Sequence, residues 1–382
     1  MSKRLLLACL GCAIVLPLLA IYVPLPVPYQ QDFSVLYFAD RALLRGIALY
    51  DYPAQLPWVL SQTSPDFTFH PYPYPPWYAL AALPLALLPI QAAARLWFLV
   101  NLLLLGAATW LLTPGWRPLT RLLALPGAIL FIPAFGLLVV GQYSLPVLLG
   151  VALFIWAARA ESAPGAALGL GLMTFKPHLG LFLGLAAFFW LFQRRGTLFA
   201  RRALLYTGLL ALALALFGQL ADPAVWRHPP GQLWPLAYLQ SLARYRDLPG
   251  VQSCGLCASL SVGLVGLVSG QANIGQAAAV SVGLGLGLGV LFYWRFRSRL
   301  GNPTLWMALS AVFTLLVDPY LLNYDYVLLL VPLTVGWGAG AAGLLTLTAY
   351  LLPWVGLLLG RAGNPLLALS TLLVIAALWR ER

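Results

Sequence analysis

The sequence predicts an all-α, polytopic integral membrane protein of about twelve transmembrane helices. Hydrophobic residues make up 62% of the 382 positions and charged residues only 8%, a balance far outside that of soluble globular domains. Apolar stretches recur from Leu5 to Trp379 with brief polar interruptions, and a bilayer core takes roughly 20 apolar residues per helical span. We therefore expect residues 1–382 to form a single membrane domain.

The apolar runs locate the individual spans in chain order. The predicted spans are 5–24, 95–113, 122–140, 144–160, 163–176, 177–193, 203–220, 273–294, 303–318, 326–341, 342–360 and 365–380. Lys3 and Arg4 precede the first run without a small-residue cleavage site, which predicts a retained anchor. Two further segments, 75–89 and 254–270, are short, so each could dip into the membrane rather than cross it.

The formal net charge of +12 comes from short basic clusters between apolar runs, so a nucleic-acid partner is not expected. Basic residues in short loops favour the cytoplasm, which predicts that the arginines at 194–202 and 295–299 lie inside. With that orientation the carboxylates separate by side, and we expect a polar working face on the extracytoplasmic side. The predicted outer carboxylates are Asp32, Asp40, Asp51, Asp66, Asp222, Asp247, Asp318 and Asp325, with Glu161 and Glu381 inside.

Two long segments between spans, 26–74 and 221–270, are predicted to be extracytoplasmic, the second as a loop or a re-entrant region. Between Asp32 and Gly46 the apolar residues follow helical spacing, which predicts an amphipathic helix at the membrane interface. Asp32 stands before this helix, where a carboxylate either caps backbone N–H groups or acts as a general base. Asp51 follows the helix and is also compatible with a turn.

Further polar and aromatic clusters interrupt the apolar sequence. The segment from His70 to Tyr78 combines prolines with aromatics, typical of either an interfacial belt or a rim that contacts sugar or lipid. Lys176 and His178 could together neutralise a phosphate, although a lysine there could also extend to the interface. The later clusters are Gly141-Gln142-Tyr143-Ser144, Phe175-Lys176-Pro177-His178 and the run from Val317 to Tyr326.

Two C-x-x-C pairs raise the question of a metal site. They are Cys9/Cys12 and Cys254/Cys257, and no histidine or further cysteine completes a zinc set near either pair. Buried thiols, or a disulfide in the second pair, are the other interpretations. No metal site is predicted.

Several motifs, in this order, resemble those of the family-87 glycosyltransferases, GT-C-class membrane enzymes that use polyprenol-phosphate sugars and include bacterial α-mannosyltransferases. The motifs are DFSVLYFADRALLRGIALYD after the first span, YPP before PWYALAALPLALLP, the GQYS turn, the GLMTFKPH run and the late DPYLLNYDY turn. The resemblance covers most of the chain and implies a GT-C-like fold. In the late turn the mannosyltransferases look histidine-containing, whereas this chain has Asn323-Tyr324-Asp325.

The resemblance implies transfer of mannose or another hexose or pentose from a polyprenyl-phosphate donor to a glycolipid or envelope-glycan acceptor, by a single inverting displacement. It implies Asp32 as the catalytic base and Lys176 and His178 at the donor phosphate, with no metal or other cofactor. The expected location is a bacterial inner membrane, with the active site on the extracytoplasmic face. The residues expected at the substrates are Tyr37, Arg41, Asp51, Tyr74, Gln142, Tyr324 and Asp325.

Two other functions compete with this interpretation. A transporter or flippase for a lipid-linked or small polar substrate would place charges near the bilayer midplane, often in repeated halves, whereas the polar clusters here gather at one predicted face. A noncatalytic scaffold would use the glycine run at 283–289 for close helix packing. That function leaves the outer carboxylates and Lys176 unexplained.

Overall fold

The structure is a computed structural model that describes residues 11, 14, 31–63, 67, 69–221, 233–244, 263–269, 274–296, 301–338 and 343–380. Within these residues the chain forms helices joined by turns and no strand, which confirms the predicted all-α class. The predicted anchor at 5–24 lies outside the described residues, except at the helical positions 11 and 14.

The described residues form α-helices and a few short 3-10 helices along the chain. The α-helices are α1 (Gln31–Leu44), α2 (Tyr52–Gln62), α3 (Pro76–Ala82), α4 (Ile90–Leu112), α5 (Pro118–Leu130), α6 (Ile132–Val140), α7 (Ser144–Arg159), α8 (Ala163–Met173), α9 (Pro177–Gln193), α10 (Leu198–Ala221), α11 (Trp234–Arg244), α12 (Leu264–Ser269), α13 (Ile274–Phe296), α14 (Pro303–Val317), α15 (Leu330–Gly338), α16 (Gly343–Leu358) and α17 (Asn364–Arg380). Short 3-10 helices lie at Leu83–Leu87, Asn323–Leu329 and Gly360–Gly363.

The span predicted at 122–140 is bent and is not one continuous helix. The segment forms two helices, α5 and α6, that meet at an angle of 61°. Phe131 is extended between them, with φ −69° and ψ 114°, and Pro133 occupies the first turn of α6. Because proline has no N–H and its ring clashes with the preceding turn, the helical hydrogen bonds cannot continue through this point.

The ambiguous segment at 75–89 forms α3 and a 3-10 helix that together cover Pro76–Leu87. At 1.5 Å per residue an α-helix of that length would reach only about 18 Å, short of the roughly 30 Å hydrocarbon core. The hydroxyl of Tyr37 in α1 donates to the carbonyl of Leu88 at 2.8 Å. The segment therefore lies against the first-loop helix instead of crossing alone.

Helix α1 occupies the region where an amphipathic helix was predicted, and Gly46 follows its end with φ 76°. The helix is more enclosed than an interfacial helix with one wet face. Phe33 and Leu36 are fully buried, and so are the polar Ser34 and Asp40, at 2% and 1% exposed. An aromatic cluster from α1, α3 and α4 and from the loop at 69–75 surrounds it.

The apolar helices form a membrane protein with fewer long spans than expected. Among the described residues, α4, α10 and the part of α13 from Ala279 to Phe296 are long and apolar enough to cross a membrane, and the bent α5–α6 pair would make a fourth. Twelve crossings are therefore not confirmed. Helix α10 leaves Leu209 and Leu212 more than half exposed. A large unpaired apolar face of this kind is suited to lipid contact.

Helices α9 and α14 run between two chemically different ends of the bundle. His178 at the start of α9 contacts Asp318, which follows α14, at 2.9 Å. At the other ends of the same two helices, the Arg194 guanidinium donates to the Gly301 carbonyl at 2.6 Å. We call the first end the polar face and the second the arginine face. The 17 residues of α9 separate them by about 25 Å.

We predict that the two faces lie on opposite sides of the membrane. In a variant with the four native cysteines replaced, Asn323→Cys on the polar face and Arg195→Cys on the arginine face should react with an impermeant thiol reagent from opposite sides. Both positions are exposed. Reaction of both cysteines from the same side of sealed vesicles would show that the helices do not cross.

Candidate functional site

The site is centred on a buried ion pair between Lys176 and Asp325. The Lys176 Nζ lies 2.5 Å from one carboxylate oxygen of Asp325, and both side chains are almost completely buried. Ser144 Oγ donates to the same oxygen at 2.6 Å and lies 3.1 Å from the lysine Nζ. The ammonium also sits 4.8 Å from the centre of the Tyr324 ring. The lysine therefore points into the bundle, and its extension to the interface is excluded.

Local backbone geometry places these groups at helix starts. Lys176 is extended because it precedes Pro177, which begins α9. Gly180 in the first turn of α9 lies directly on the carbonyl of Met173, where a Cβ would come within 1.8 Å of the oxygen. This close approach lets α8 turn tightly into α9. Asp325 lies in the 3-10 helix, where its second oxygen accepts from the Leu322 N–H at 3.1 Å.

Gln142 connects this ion pair to Asp32. Gly141 ends α6 in the left-handed conformation, with φ 71°, so that Gln142 leaves the helix and turns inward. Its amide donates to the Tyr324 hydroxyl at 2.5 Å and also hydrogen-bonds the Asp32 carboxylate. The neighbouring Tyr143 hydroxyl donates to the backbone carbonyl of Asp32. The GQYS turn thus fixes both the main chain and the side chain of Asp32.

Asp32 lies in the first turn of α1, which begins at Gln31, so its predicted position just before the helix is wrong. Burial raises the pKa of its carboxyl to about 6. The positive charge of Lys176 and the hydrogen bond from Gln142 oppose that rise, and the negative charge of Asp325 adds to it. A carboxylate with this pKa is mostly ionised at neutral pH and is a stronger base than an exposed aspartate.

His178 forms a second pair at the polar face. Its Nδ1 lies 2.9 Å from a carboxylate oxygen of the fully buried Asp318. The other oxygen of Asp318 accepts from the Tyr320 backbone N–H at 2.9 Å. The His178 and Tyr320 rings meet edge to face, with their centres 5.4 Å apart. His178 is therefore held by a carboxylate and an aromatic ring.

Tyr74, predicted at the substrates, lies in the aromatic cluster beside the site. Its ring is 4.8 Å from the ring of Tyr143, with a nearly perpendicular orientation, and Asp32 and Tyr324 are close enough to affect its ionisation. Tyr37 and Arg41 are less central, because the Arg41 guanidinium donates to the Tyr37 hydroxyl at 3.0 Å and that hydroxyl donates to Leu88. These two side chains join α1 to the segment after α3.

Asp51 serves as a helix cap. It is exposed, and its carboxylate accepts from the Ala54 N–H at 3.2 Å at the start of α2. The structure brings together most of the other predicted site residues and leaves Asp51 apart from them. The residues joined by these contacts are Asp32, Tyr74, Gln142, Lys176, Tyr324 and Asp325.

Three residues of the site were not predicted from the sequence as site residues. They are Ser144, Tyr143 and Asp318. All three lie inside polar clusters that interrupt the apolar runs, so a signal was present in the sequence. Their partners are far away along the chain: Ser144 contacts Asp325 across 181 positions. Spacing cannot predict such contacts without the helix packing.

Within the described ranges, no group of three or more histidine, cysteine, aspartate or glutamate side chains could hold a metal ion. The two cysteine pairs that raised this question lie outside those ranges, so the interpretations of buried thiols or a disulfide stay open. What the site offers chemically is a basic carboxylate, the buried Lys176–Asp325 ion pair, the His178–Asp318 contact and several tyrosine hydroxyls. Such a set can accept a proton from a hydroxyl and contact an anion without a metal.

These features define a membrane protein with carboxylates and basic side chains gathered at one end of its helices. The family model of glycosyltransferase family 87 matches residues 72–319, about two thirds of the sequence. The chain therefore belongs to glycosyltransferase family 87, as its motifs suggested, and is a glycosyltransferase. The match includes Gln142, Lys176 and His178, while Asp32 and Asp325 lie outside it. No curated protein matches the chain.

We predict that the Lys176–Asp325 pair is needed for stability as a pair. Lys176→Met should lower the free energy of unfolding by about 3–5 kcal/mol, because it leaves a buried aspartate charge without its partner. Lys176→Met combined with Asp325→Leu should recover most of that loss. Denaturation of the purified proteins in detergent measures both effects.

The control is Lys3→Met, the same substitution at the only other lysine of the sequence, which should leave stability unchanged. If the double variant were as unstable as Lys176→Met, unpaired charge would not be the cause of the loss.

Proposed function

We propose that this glycosyltransferase moves a sugar from a polyprenyl-phosphate donor to a glycolipid or glycan acceptor at the extracytoplasmic face of a bacterial inner membrane. The observation that carries the proposal is the convergence of Asp32 with Lys176 and Gln142 at the polar face. A basic carboxylate beside buried positive charge is the combination that deprotonation of a hydroxyl and departure of a phosphate require.

The side of the membrane follows from the arginines. Short basic loops favour the cytoplasm, and Arg194 and Arg195 follow α9 at the arginine face. The polar face, with segment 26–74 beside it, is then extracytoplasmic. Segment 221–270 would lie on the same side, since it follows α10, which starts at the arginine face. A GT-C arrangement with about twelve crossings remains our expectation for the whole domain of residues 1–382.

The proposed reaction is a single displacement. Asp32 accepts the proton of an acceptor hydroxyl as that oxygen bonds the anomeric carbon of the sugar. The bond between the anomeric carbon and the phosphate oxygen breaks, and its electron pair leaves with the polyprenyl phosphate. Attack opposite the leaving group inverts the anomeric centre. The lipid phosphate is itself the leaving group, so the proposed step uses no nucleotide and no further cofactor.

Positive charge near the phosphate stabilises the departing group. Lys176 and His178 are the basic side chains proposed for this role, and they lie on either side of Pro177 at the start of α9. The ion pair with Asp325 holds the Lys176 charge inside the bundle. A fixed charge costs no reorganisation when the reaction occurs.

The remaining polar groups are proposed to bind the sugar and the acceptor. Tyr74, Gln142, Tyr324 and Asp325 surround Asp32 or its partners, and hydroxyl and amide groups are suited to sugar hydroxyls. The transferred sugar is mannose or another hexose or pentose. Three outlying residues that were expected at the substrates would act indirectly, through helix packing and capping. These residues are Tyr37, Arg41 and Asp51.

A transporter is the less favoured function. Transporter sites form at the midplane, on broken helices. Here Ser144, Lys176 and His178 lie at the starts of α7 and α9, where the helices meet the polar face. Charges at helix ends are better suited to a reaction at the membrane surface.

We predict that Asp32→Asn lowers sugar transfer by about 10²- to 10⁴-fold, since the amide keeps the shape of the side chain but cannot accept the proton. In the wild-type protein kcat/KM should fall about tenfold per pH unit below pH 6, as Asp32 becomes protonated, and should level off above it. Transfer from a synthetic polyprenyl-phosphate sugar, followed by mass spectrometry, measures both quantities.

The matched control is Glu161→Gln, the same change of carboxylate to amide at an exposed residue in the loop after α7, at the arginine face. It should transfer sugar at the wild-type rate. Near-normal turnover by a well-folded Asp32→Asn protein would exclude Asp32 as the base.

A further inference from the structure

His178 has one ring nitrogen that the fold leaves without a partner. Its Nδ1 faces Asp318 at 2.9 Å, while its Nε2 is buried and has no hydrogen-bond partner among the described residues. A buried polar atom without a partner is costly, and native proteins rarely leave one without a reason. The side chain as a whole keeps 23% of its surface exposed. Part of the ring is therefore exposed at the polar face, and the enclosed Nε2 lies just beneath that surface.

Lys176, the other basic side chain of this segment, has no comparable opening. Its ammonium has three N–H donors. Asp325 and Ser144 accept from the ammonium, and the Tyr324 ring faces it at 4.8 Å. A phosphate could take a direct hydrogen bond from Lys176 only by displacing one of these partners. His178 can offer Nε2 without breaking its contact with Asp318.

The surroundings of His178 favour an anion as the missing partner. Its ring belongs to the first turn of α9, and the first intrahelical hydrogen bond of α9 runs from the Gly180 N–H to the Lys176 carbonyl. The N–H groups of the preceding residues therefore precede the helical ladder and add positive potential at this end. With the Asp318 carboxylate on Nδ1 and an anion on Nε2, both ring nitrogens would act as donors.

We infer that His178 Nε2 makes the direct contact with the phosphate of the lipid donor and that Asp318 is a positioning residue acting through His178. This inference rests on the proposed function and deepens it. Asp318 holds Nδ1–H and sets the orientation of the ring, while the Tyr320 N–H fixes Asp318 in turn. Lys176 then acts on the phosphate through its electrostatic field and through the helix packing that its ion pair stabilises.

In the reaction, the phosphate oxygen that leaves the anomeric carbon takes the electron pair of the broken bond. The added negative charge strengthens the hydrogen bond from His178 Nε2–H, and the Asp318 carboxylate on the opposite nitrogen supports the positive ring. The acceptor proton goes to Asp32. No other reactant is required.

The test uses citronellyl phosphate, a short polyprenyl phosphate, with the full chain in lipid nanodiscs. His178→Gln and Asp318→Asn should each weaken its binding by about tenfold to a hundredfold, the usual range for a lost hydrogen bond to a charged group. Glu161→Gln should bind like the wild type. Citronellol should not bind at the site, and inorganic phosphate should bind weakly. Calorimetry measures all four proteins with each of the three compounds.

A second measurement reads the His178 ring directly in the wild-type protein. The sequence has three histidines, so ¹⁵N-histidine labelling of the wild-type protein gives few ring signals, and those of His178 are identified by their loss in His178→Gln. Citronellyl phosphate should shift the Nε2 signal of His178. In Asp318→Asn the Nδ1 signal should change before any ligand is added. An unchanged Nε2 signal at saturating citronellyl phosphate would overturn the inference.

The inference and the proposed function fail in different ways. Sugar transfer that depends on Asp32, together with wild-type donor KM in His178→Gln and Asp318→Asn, would reject the His178 contact and keep the transferase. Binding of citronellyl phosphate through His178 without transfer from any polyprenyl-phosphate sugar would reject the transferase and keep the phosphate site.

Discussion

The buried ion pair between Lys176 and Asp325 is the interaction on which the rest of the site depends. Two charges inside a bundle of apolar helices are stable only when they meet each other and their remaining hydrogen-bonding groups are satisfied. Ser144 and the Leu322 N–H complete the partners of Asp325. The pair thereby ties the starts of α7 and α9 to the 3-10 helix after α14. Asp32 faces the Lys176–Asp325 pair, and the need to keep these buried charges paired fixes the position of that pair.

Much of the fold could be predicted from the apolar runs, because helix length and hydrophobicity are local properties of the chain. Helix α9 has the bounds 177–193 that the sequence predicted. The bend at Phe131 was missed, since the proline that causes it lies in a run that is apolar throughout. The site could be predicted only as separate clusters. The 149 positions between Lys176 and Asp325 hide their contact until the helices pack.

Ionised Asp32 lowers the stability of the folded protein, as is common for residues used in acid–base chemistry. Its folded-state pKa of about 6 lies above the ordinary value of 3.8, so between these pH values the folded protein holds more protons than the unfolded chain. The contribution of this group to stability is therefore largest below pH 4 and is lost as the pH rises through 6. At neutral pH the folded protein ionises this carboxyl less readily than the unfolded chain does, and that difference is a cost in stability. Sites of this kind are typical of acid–base chemistry.

In the proposed reaction the polar face binds a lipid phosphate beside Asp32. The most direct test is an experimental structure of the protein in nanodiscs with a polyprenyl phosphate bound. We expect phosphate density within about 3 Å of His178 Nε2, next to the Lys176–Asp325 pair and on the same side of the membrane as Asp32. Phosphate density at the arginine face, or on the lipid side of α10 away from these residues, would contradict it.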